Sequence, residues 1–372
     1  MKRPRVMTVV GTRPELIKLS RVIAELRAHT DHVLVHTGQN YAYELNGIFF
    51  KDLGIPAPDR FLEVAGGSAC EAVGKVIAGV EALLDRLKPD AFLVLGDTNS
   101  ALSVYAAKRR RVPVFHMEAG NRCFDERVPE EINRRVVDHL SDINLTYTEH
   151  ARRYLLREGL RPETVIKTGS PMREVLEHYR GRIEASDVLG RLKLEPGGYV
   201  VVSAHREENV DSPERLALLI RTLNALVKEI RRPAVFSTHP RTRKRLKALK
   251  GVRPDPRIRF LDPLGLSDYV RLQREAHCVL SDSGTLTEES ALLGFPAVML
   301  RDQHERPEGM DEASVIMAGL ETGRVLQAVA LATSPGAPLR APDDYAPANV
   351  SRKVVRLILS HIDYVNRTVW RR

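Results

Sequence analysis

Five carboxylates crowd the nineteen residues HMEAGNRCFDERVPEEINR at 116–134: Glu118, Asp125, Glu126, Glu130 and Glu131. The chain around them is basic, with a formal net charge of +9. Two of the five have an ordinary explanation. Pro129 suits the first turn of a helix, and Glu130 and Glu131 just behind it oppose the helix dipole, worth about 0.3–1 kcal/mol each. Glu130–Arg134 and Glu131–Arg135 are also spaced as i,i+4 pairs. Glu118 has no such explanation. It closes the apolar run VPVFHME, as Asp97 closes AFLVLGD. Carboxylates at strand ends beside a cleft are candidates for shifted pKa values and acid–base work. Asp97, Glu118 and Glu130 are the set that would surround one substrate carbon.

A second chemistry, anion binding, is written elsewhere. GTRPE (11–15) is a Gly turn followed by Arg13 and by Pro14 near a helix start, with Lys18 one turn on. A helix N-terminus and an Arg together suit an anion; the bland alternative is a plain strand–helix turn. SDSGTLTEE (281–289) repeats the logic. Ser283 and Gly284 sit where exposed N–H groups can cradle a phosphate, and Glu288 or Glu289 can accept hydrogen bonds from a sugar diol. The bland alternative there is a capped short helix with solvated Glu. A lone His is more often structural than functional, but His205 and His239 close adjacent strands and are followed by Arg206 and Arg241, which favours ligand contact. GxGxxG and Walker loops are absent, which disfavours an ordinary nicotinamide or P-loop enzyme.

The elements that must hold these residues alternate. Short β-branched runs at 5–10, 32–38, 91–97, 112–118, 143–148 and 164–170 are separated by helix-period segments, including one over 16–29 and one around 71–88. The pattern stops over the polar stretch 172–197, then restarts with runs at 199–205, 234–240, 258–263, 278–284 and 296–300. This is the βαβ pattern of parallel sheets covered on both faces, used twice. The expected fold class is α/β, two Rossmann-like doubly wound domains with a cleft between them. The expected division is 1–171 plus 352–372 for the first domain and 172–351 for the second. A Pro-rich crossing at 333–348 precedes a last helix at about 349–366. Ligands of open parallel sheets bind beyond the carboxyl ends of the strands, and every motif above lies there.

Composition narrows the function classes. At 372 residues, 43% hydrophobic and 28% charged, the chain has the makeup of a globular protein of two domains. No apolar run reaches the roughly 18 residues of a membrane span, and MKRPRVMTVVG reads as a first buried strand instead of a signal peptide, so a cytoplasmic location is expected. Cys70, Cys123 and Cys278 are scattered, with no CxxC and no HExxH, so neither a disulfide framework nor a metal site is expected. KRRR (108–111) and RTRKRLKALK (241–250) invite a nucleic-acid reading. Aromatics are only 5% and no nucleic-acid module signature occurs, so a solvated Arg-rich surface or a small anionic ligand fits better.

GTRPE, GDT (96–98), HMEAG (116–120), PEEINR (129–134), AHREEN (204–209), THP (238–240), SDSG…EE (281–289) and ERPE (305–308) occur in that order. In this the chain resembles the non-hydrolysing UDP-N-acetylglucosamine 2-epimerases along nearly its whole length. The resemblance implies the two-domain GT-B fold, a homodimer, a UDP-sugar substrate, and neither metal nor redox cofactor. It implies inversion at C2 of a UDP-2-acetamido sugar, by elimination of UDP to a 2-acetamidoglycal and re-addition. It carries Asp97, Glu118, Glu130 and His205 over as the catalytic set. Arg13, Lys18, His239, Ser283 and Gly284 fall around the diphosphate, Glu289 at the ribose, and Arg306 of ERPE joins the substrate contacts. The chain departs from the family pattern with EAGNR for EAGLR, HREE for HRRE, SDSGT for SDSGG and GQN (38–40) for GQH. Thr285 thus replaces a permissive Gly, and the GQN change puts a second, regulatory UDP-sugar site in doubt. With HTGQNYAYELN and SAHREENVDSPE, these variants resemble the branch that makes UDP-N-acetyl-L-fucosamine. The rival readings are a GT-B glycosyltransferase, a hydrolysing epimerase and a non-catalytic UDP-sugar binder.

Overall fold

The computed structural model describes residues 3–38, 50, 52–64, 67–336 and 340–372. Gln39 and Asn40 of the GQN variant lie outside the described residues. The chain divides into two compact units, 1–178 with 344–372, and 179–343.

The first unit is built on a parallel sheet. Its described strands are β1 (Arg5–Val10), β2 (Asp31–His36), β3 (Arg60–Phe61), β4 (Ala91–Leu95), β5 (Val114–Ala119), β6 (Ile143–Thr146) and β7 (Val165–Lys167). They stand in the order β3-β2-β1-β4-β5-β6-β7. Central strands are apolar throughout because helices cover both faces; all five residues of β4 are buried. On one face, Met7, Val9, Phe92, Val94 and Val114 pack with Val76, Val80 and Leu84 of the helix Ala69–Leu87. The helix Arg13–His29 buries Leu16, Leu19, Val22, Ile23 and Leu26. Against it packs the C-terminal helix Val350–Thr368, which buries Val354, Val355, Ile358, Ile362 and Val365.

The second unit repeats the plan with β8 (Val200–Ser203), β9 (Ala234–Ser237), β10 (Ile258–Leu261), β11 (Cys278–Ser281), β12 (Ala297–Met299) and β13 (Ile316–Met317). The order is β10-β9-β8-β11-β12-β13, all parallel. One core packs Val200, Val202, Phe236 and Leu280 against Leu219, Leu223 and Leu226. The other packs Val201, Val235, Val279 and Met299 against Leu272 and Leu286.

Both sheets reverse their strand order once, between β1 and β4 and between β8 and β11. These switch points open a crevice at the strand ends, the usual ligand position in doubly wound sheets. The fold class is the expected one, two Rossmann-like parallel-sheet domains of the GT-B kind. Two details differ from the sequence reading. The stretch 172–197 is no break, because it holds the helices Met172–Glu184 and Val188–Leu192. Most strands also end one to three residues earlier than their apolar runs, because those runs continue into the turns that carry the polar motifs; β1 ends with its run and β5 one residue past it.

Candidate active site

The first unit's switch point brings GTRPE and GDT together. Gly11, directly after β1, meets the turn after β4 so closely that a Cβ there would lie 2.0 Å from Ser100 Oγ and 2.5 Å from Thr37 Oγ1. Only Gly fits that approach. Arg13 is the first residue of the helix Arg13–His29, half-buried, with Thr12 at its cap position. Glu15, which the sequence reading passed over, is buried two residues on. Its Oε2 accepts the N–H groups of Gly11 (3.0 Å) and Thr12 (2.7 Å), and its Oε1 accepts from Thr98 Oγ1 (3.1 Å). Burial raises its pKa to about 7, against those hydrogen bonds. The Thr-x-x-Glu spacing was the signal available for it.

Glu118, the next-to-last residue of β5, has a conformation few side chains adopt. Its φ is +64°, and the register of β5 with β6 shifts between Met117 and Ala119, marking a bulge. A left-handed Glu costs about 1–3 kcal/mol and persists where surrounding structure enforces it, often at functional sites. Its Oε2 lies 2.6 Å from Lys18 Nζ, and the two side chains are only 12% and 6% exposed. Asn121 Nδ2 reaches its other oxygen at 3.5 Å. Lys18 thus stands in the acid cluster as the partner of Glu118.

Asp97 follows β4 on the neighbouring strand. Its Oδ2 accepts from Arg134 Nη2 (2.6 Å) and Nε (3.1 Å), and its carbonyl accepts from Asn133 Nδ2 (2.9 Å). Arg134 Nη1 also donates to Glu131 Oε2 at 2.7 Å. Glu131 is fully buried and accepts the Cys123 and Phe124 amides at 3.0 and 3.3 Å. Burial opposes its ionisation, but the Cys123 amide and Arg134 prevail and hold it below the usual carboxylate range. Glu130 is half-buried in the first turn of the helix Pro129–Leu140. The two neighbouring acids therefore part roles: Glu131 fixes the loop after β5, and Glu130 remains the candidate for chemistry.

At the second unit's switch point, Asp282 organises the turn after β8. Its fully buried carboxylate accepts the His205 amide at 3.0 and 3.1 Å, the Arg206 amide at 3.0 Å and Asn209 Nδ2 at 3.1 Å. It also lies 3.4 Å from His205 Nδ1. His239 precedes the helix Pro240–Ala248, with its ring centroid 6.1 Å from that of His205. Its Nδ1 accepts the Arg241 amide at 3.3 Å, so the neutral ring carries its hydrogen on Nε2. Burial, then His205 and Arg241, lower its pKa. Arg241 itself is held by Glu207 (2.6 Å) and Asp211, an arrangement that uses the Glu of the HREE variant.

Ser283 and Gly284 form the turn from β11 into the helix Thr285–Leu293. Gly284 is the cap residue with φ −62°, so Thr285 begins the helix where no permissive Gly is needed; its hydroxyl lies 3.0 Å from Ser283 Oγ. Glu289 accepts from Gln273 Nε2 at 2.7 Å. Arg306, almost fully buried, lies 3.6 Å from Glu288. Buried Arg301 joins Glu208 (2.9 Å) to Glu305 (2.9 Å), whose carboxylate lies 3.4 Å from the place a Gly284 Cβ would take. Asp282 escaped the sequence reading because its partners, 73 to 77 residues away, leave no local pattern; Arg301 escaped it although Glu305 stands four residues on, because its partner Glu208 lies 93 residues away. Among the described residues no group of His, Cys, Asp and Glu could hold a metal ion, and no helix is long and apolar enough to cross a membrane.

Known proteins share this fold. The model of the UDP-N-acetylglucosamine 2-epimerase family matches residues 24–359. A solved UDP-N-acetylglucosamine 2-epimerase from Rickettsia bellii is 52% identical, with all of both chains covered and a TM-score of 0.93. The UDP-GlcNAc 2-epimerase of Methanocaldococcus jannaschii, solved in complex with UDP-GlcNAc and UDP, is 31% identical. It covers 96% of this chain and 99% of its own, with a TM-score of 0.90. A UDP-2,3-diacetamido-2,3-dideoxy-D-glucuronate 2-epimerase of Pseudomonas aeruginosa is 33% identical over 329 residues, 87% of this chain and 90% of the relative. With acids at the strand ends of one sheet and a His pair and capped turn at those of the other, the chain belongs to the UDP-N-acetylglucosamine 2-epimerase family and is an epimerase.

Proposed function

We propose that this enzyme inverts C2 of a UDP-2-acetamido sugar by eliminating UDP and adding it back. In the forward half, a carboxylate takes the C2 proton while the C1–O bond breaks, leaving a 2-acetamidoglycal and UDP. In the return, a proton is delivered to the other face of C2 and the UDP oxygen re-forms the bond at C1. Asp97, Glu118 and Glu130 are the acid–base groups, and His205 completes the set. Such groups contribute roughly 10²–10⁴-fold each. His239 Nε2–H, the turn at Ser283 and Gly284, Arg306 and the helix start at Arg13 hold the diphosphate, and Glu289 holds the ribose. Donors of this kind stabilise the departing anion. The observation that carries the reading is Glu118, left-handed at a strand bulge with Lys18 2.6 Å from its carboxylate. That cation favours the ionised form a base requires.

The finer assignment is the step that forms UDP-N-acetyl-L-fucosamine for surface polysaccharide, in the cytoplasm and as a homodimer. Its support is the set of variants EAGNR, HREE and SDSGT, together with a relative whose name gives it a UDP-sugar other than UDP-N-acetylglucosamine, a 2,3-diacetamido sugar. The test is incubation in deuterated water with single UDP-2-acetamido sugars and no acceptor. Deuterium should enter at C2, fastest with the 6-deoxy-L-sugar. Equal or faster exchange with UDP-N-acetylglucosamine would remove the L-fucosamine assignment, and no exchange with any of them would remove the epimerisation mechanism. A glycosyltransferase would need an acceptor, and a hydrolysing enzyme would release free UDP.

A further inference from the structure

We propose that His116, paired with Asp138, is a positioning residue for the acid cluster: one buried imidazole–carboxylate pair fixes the backbone next to both Asp97 and Glu118. The inference rests on the roles just assigned to those two acids.

His116 lies on β5 and Asp138 on the helix Pro129–Leu140, and both side chains are fully buried. His116 Nε2 is 2.9 Å from the carbonyl oxygen of Gly96. A carbonyl only accepts, so Nε2 carries a hydrogen. Nδ1 is 2.9 Å from Asp138 Oδ1. That contact pairs the ring with the carboxylate. Asp138 also accepts the Gly120 amide (3.1 and 3.3 Å) and Arg122 Nη1 (2.7 Å). Burial opposes its charge, but His116 and Arg122 outweigh burial and keep it ionised. Arg122 is anchored in turn by Glu158, at 2.8 and 2.6 Å.

The chain positions of these contacts give the pair its meaning. Gly96 directly precedes Asp97, and Gly120 follows Glu118 by two residues. Gly96, Glu118 and Gly120 all have positive φ, at +69°, +64° and +81°. Such turns have alternatives, and a swing of the backbone there would move either carboxylate. The imidazole holds the carbonyl of the first turn, and the carboxylate holds the amide of the last. Stability alone is a poor reason for such a pair, because desolvation offsets most of the attraction between buried charges.

The test uses the full chain and the UDP-sugar that the wild type turns over. His116→Gln keeps a donor for the Gly96 carbonyl and leaves Asp138 with Arg122 Nη1 and the Gly120 amide as partners, so the double variant H116Q/D138N, which removes the pair whole, is the main reagent beside both single variants. With folding checked by circular dichroism, kcat and C2 deuterium exchange should both fall about 10²-fold, the scale of a misplacement near 1 Å, while KM and UDP affinity stay within about 3-fold. A folded double variant with wild-type kcat would overturn the assignment. So would a loss shared equally by UDP binding, or failure of all three variants to fold, since each makes the pair a general structural element. A wild type that exchanges no C2 hydrogen sinks the proposed function, and this inference with it; that result is distinct from a wild type that turns over beside variants that do not slow.

Discussion

Glu118 and Lys18 sit 100 residues apart in the chain and 2.6 Å apart in the fold, almost shielded from water. Removing one partner of such a pair has two consequences that can be separated. Glu118→Gln removes the proposed base, so turnover should fall at least ~10²-fold. It also strands the Lys18 ammonium, which costs on the order of 3 kcal/mol and lowers Tm. The double variant K18M/E118Q should recover most of the lost Tm and none of the lost turnover. Steady-state rates and thermal melts on the same samples check this; near-normal turnover in E118Q would make the pair purely structural. The strand-end positions of Asp97, Glu118, His205 and His239 were legible because parallel sheets present ligand groups there. The partner of Lys18 was not, because a contact across 100 residues leaves no local spacing to read. Nor was the split between Glu130 and Glu131: both suit a first helical turn, and only the packed loop shows that Glu131 turns inward to the Cys123 amide.

At the scale of elements, β2 makes folding sensitive to acid. Its His32 and His36 are both held to a pKa of about 4, chiefly by burial. His32 Nε2 is 2.9 Å from Thr8 on β1, and His36 Nδ1 accepts the Gly38 amide at 3.0 Å. In the unfolded chain these rings take a proton near pH 6.5; in the fold they resist until about pH 4. Between those values the unfolded state binds more protons, so stability falls as pH drops. Glu15 works the other way across much of the same window, because its folded pKa is raised to about 7 and its contribution is lost as pH rises. Two groups outweigh one, and the net loss from pH 6.5 to 4.5 should be roughly 1–3 kcal/mol. Urea unfolding at a series of pH values measures it, and His32→Gln should flatten the slope; a midpoint that rises on acidification would contradict it. The strands that carry these residues were plain in the sequence as short β-branched runs. The helix Met172–Glu184 was not, although Met172, Val175, Leu176, Tyr179 and Ile183 are buried at helical spacing. Its charged residues outnumber the apolar ones and hide the period.

At the scale of the molecule, the two units differ in how the chain closes them. Residues 179–343 are continuous, whereas the first unit needs 344–372 to return after the second is complete. The returning helix Val350–Thr368 supplies Val354, Val355, Ile358, Ile362 and Val365 as cover for the helix Arg13–His29. A unit with its own core on both faces of its sheet can fold alone, and the second unit has both cores within 179–343. The first cannot be cut out as one piece without exposing the buried stripe of Arg13–His29, and each lost Ile or Leu contact of that kind costs about 2–5 kcal/mol. Residues 179–343 expressed alone should therefore melt cooperatively and, on the proposed assignment of His239, Ser283 and Glu289, bind UDP. Residues 1–178 alone should be unstable, and adding a 344–372 segment through a linker should restore a cooperative melt. Calorimetry of the three pieces decides it: a first unit that melts cooperatively without its returning helix would show that the helix is an accessory and that the two units are equally self-sufficient.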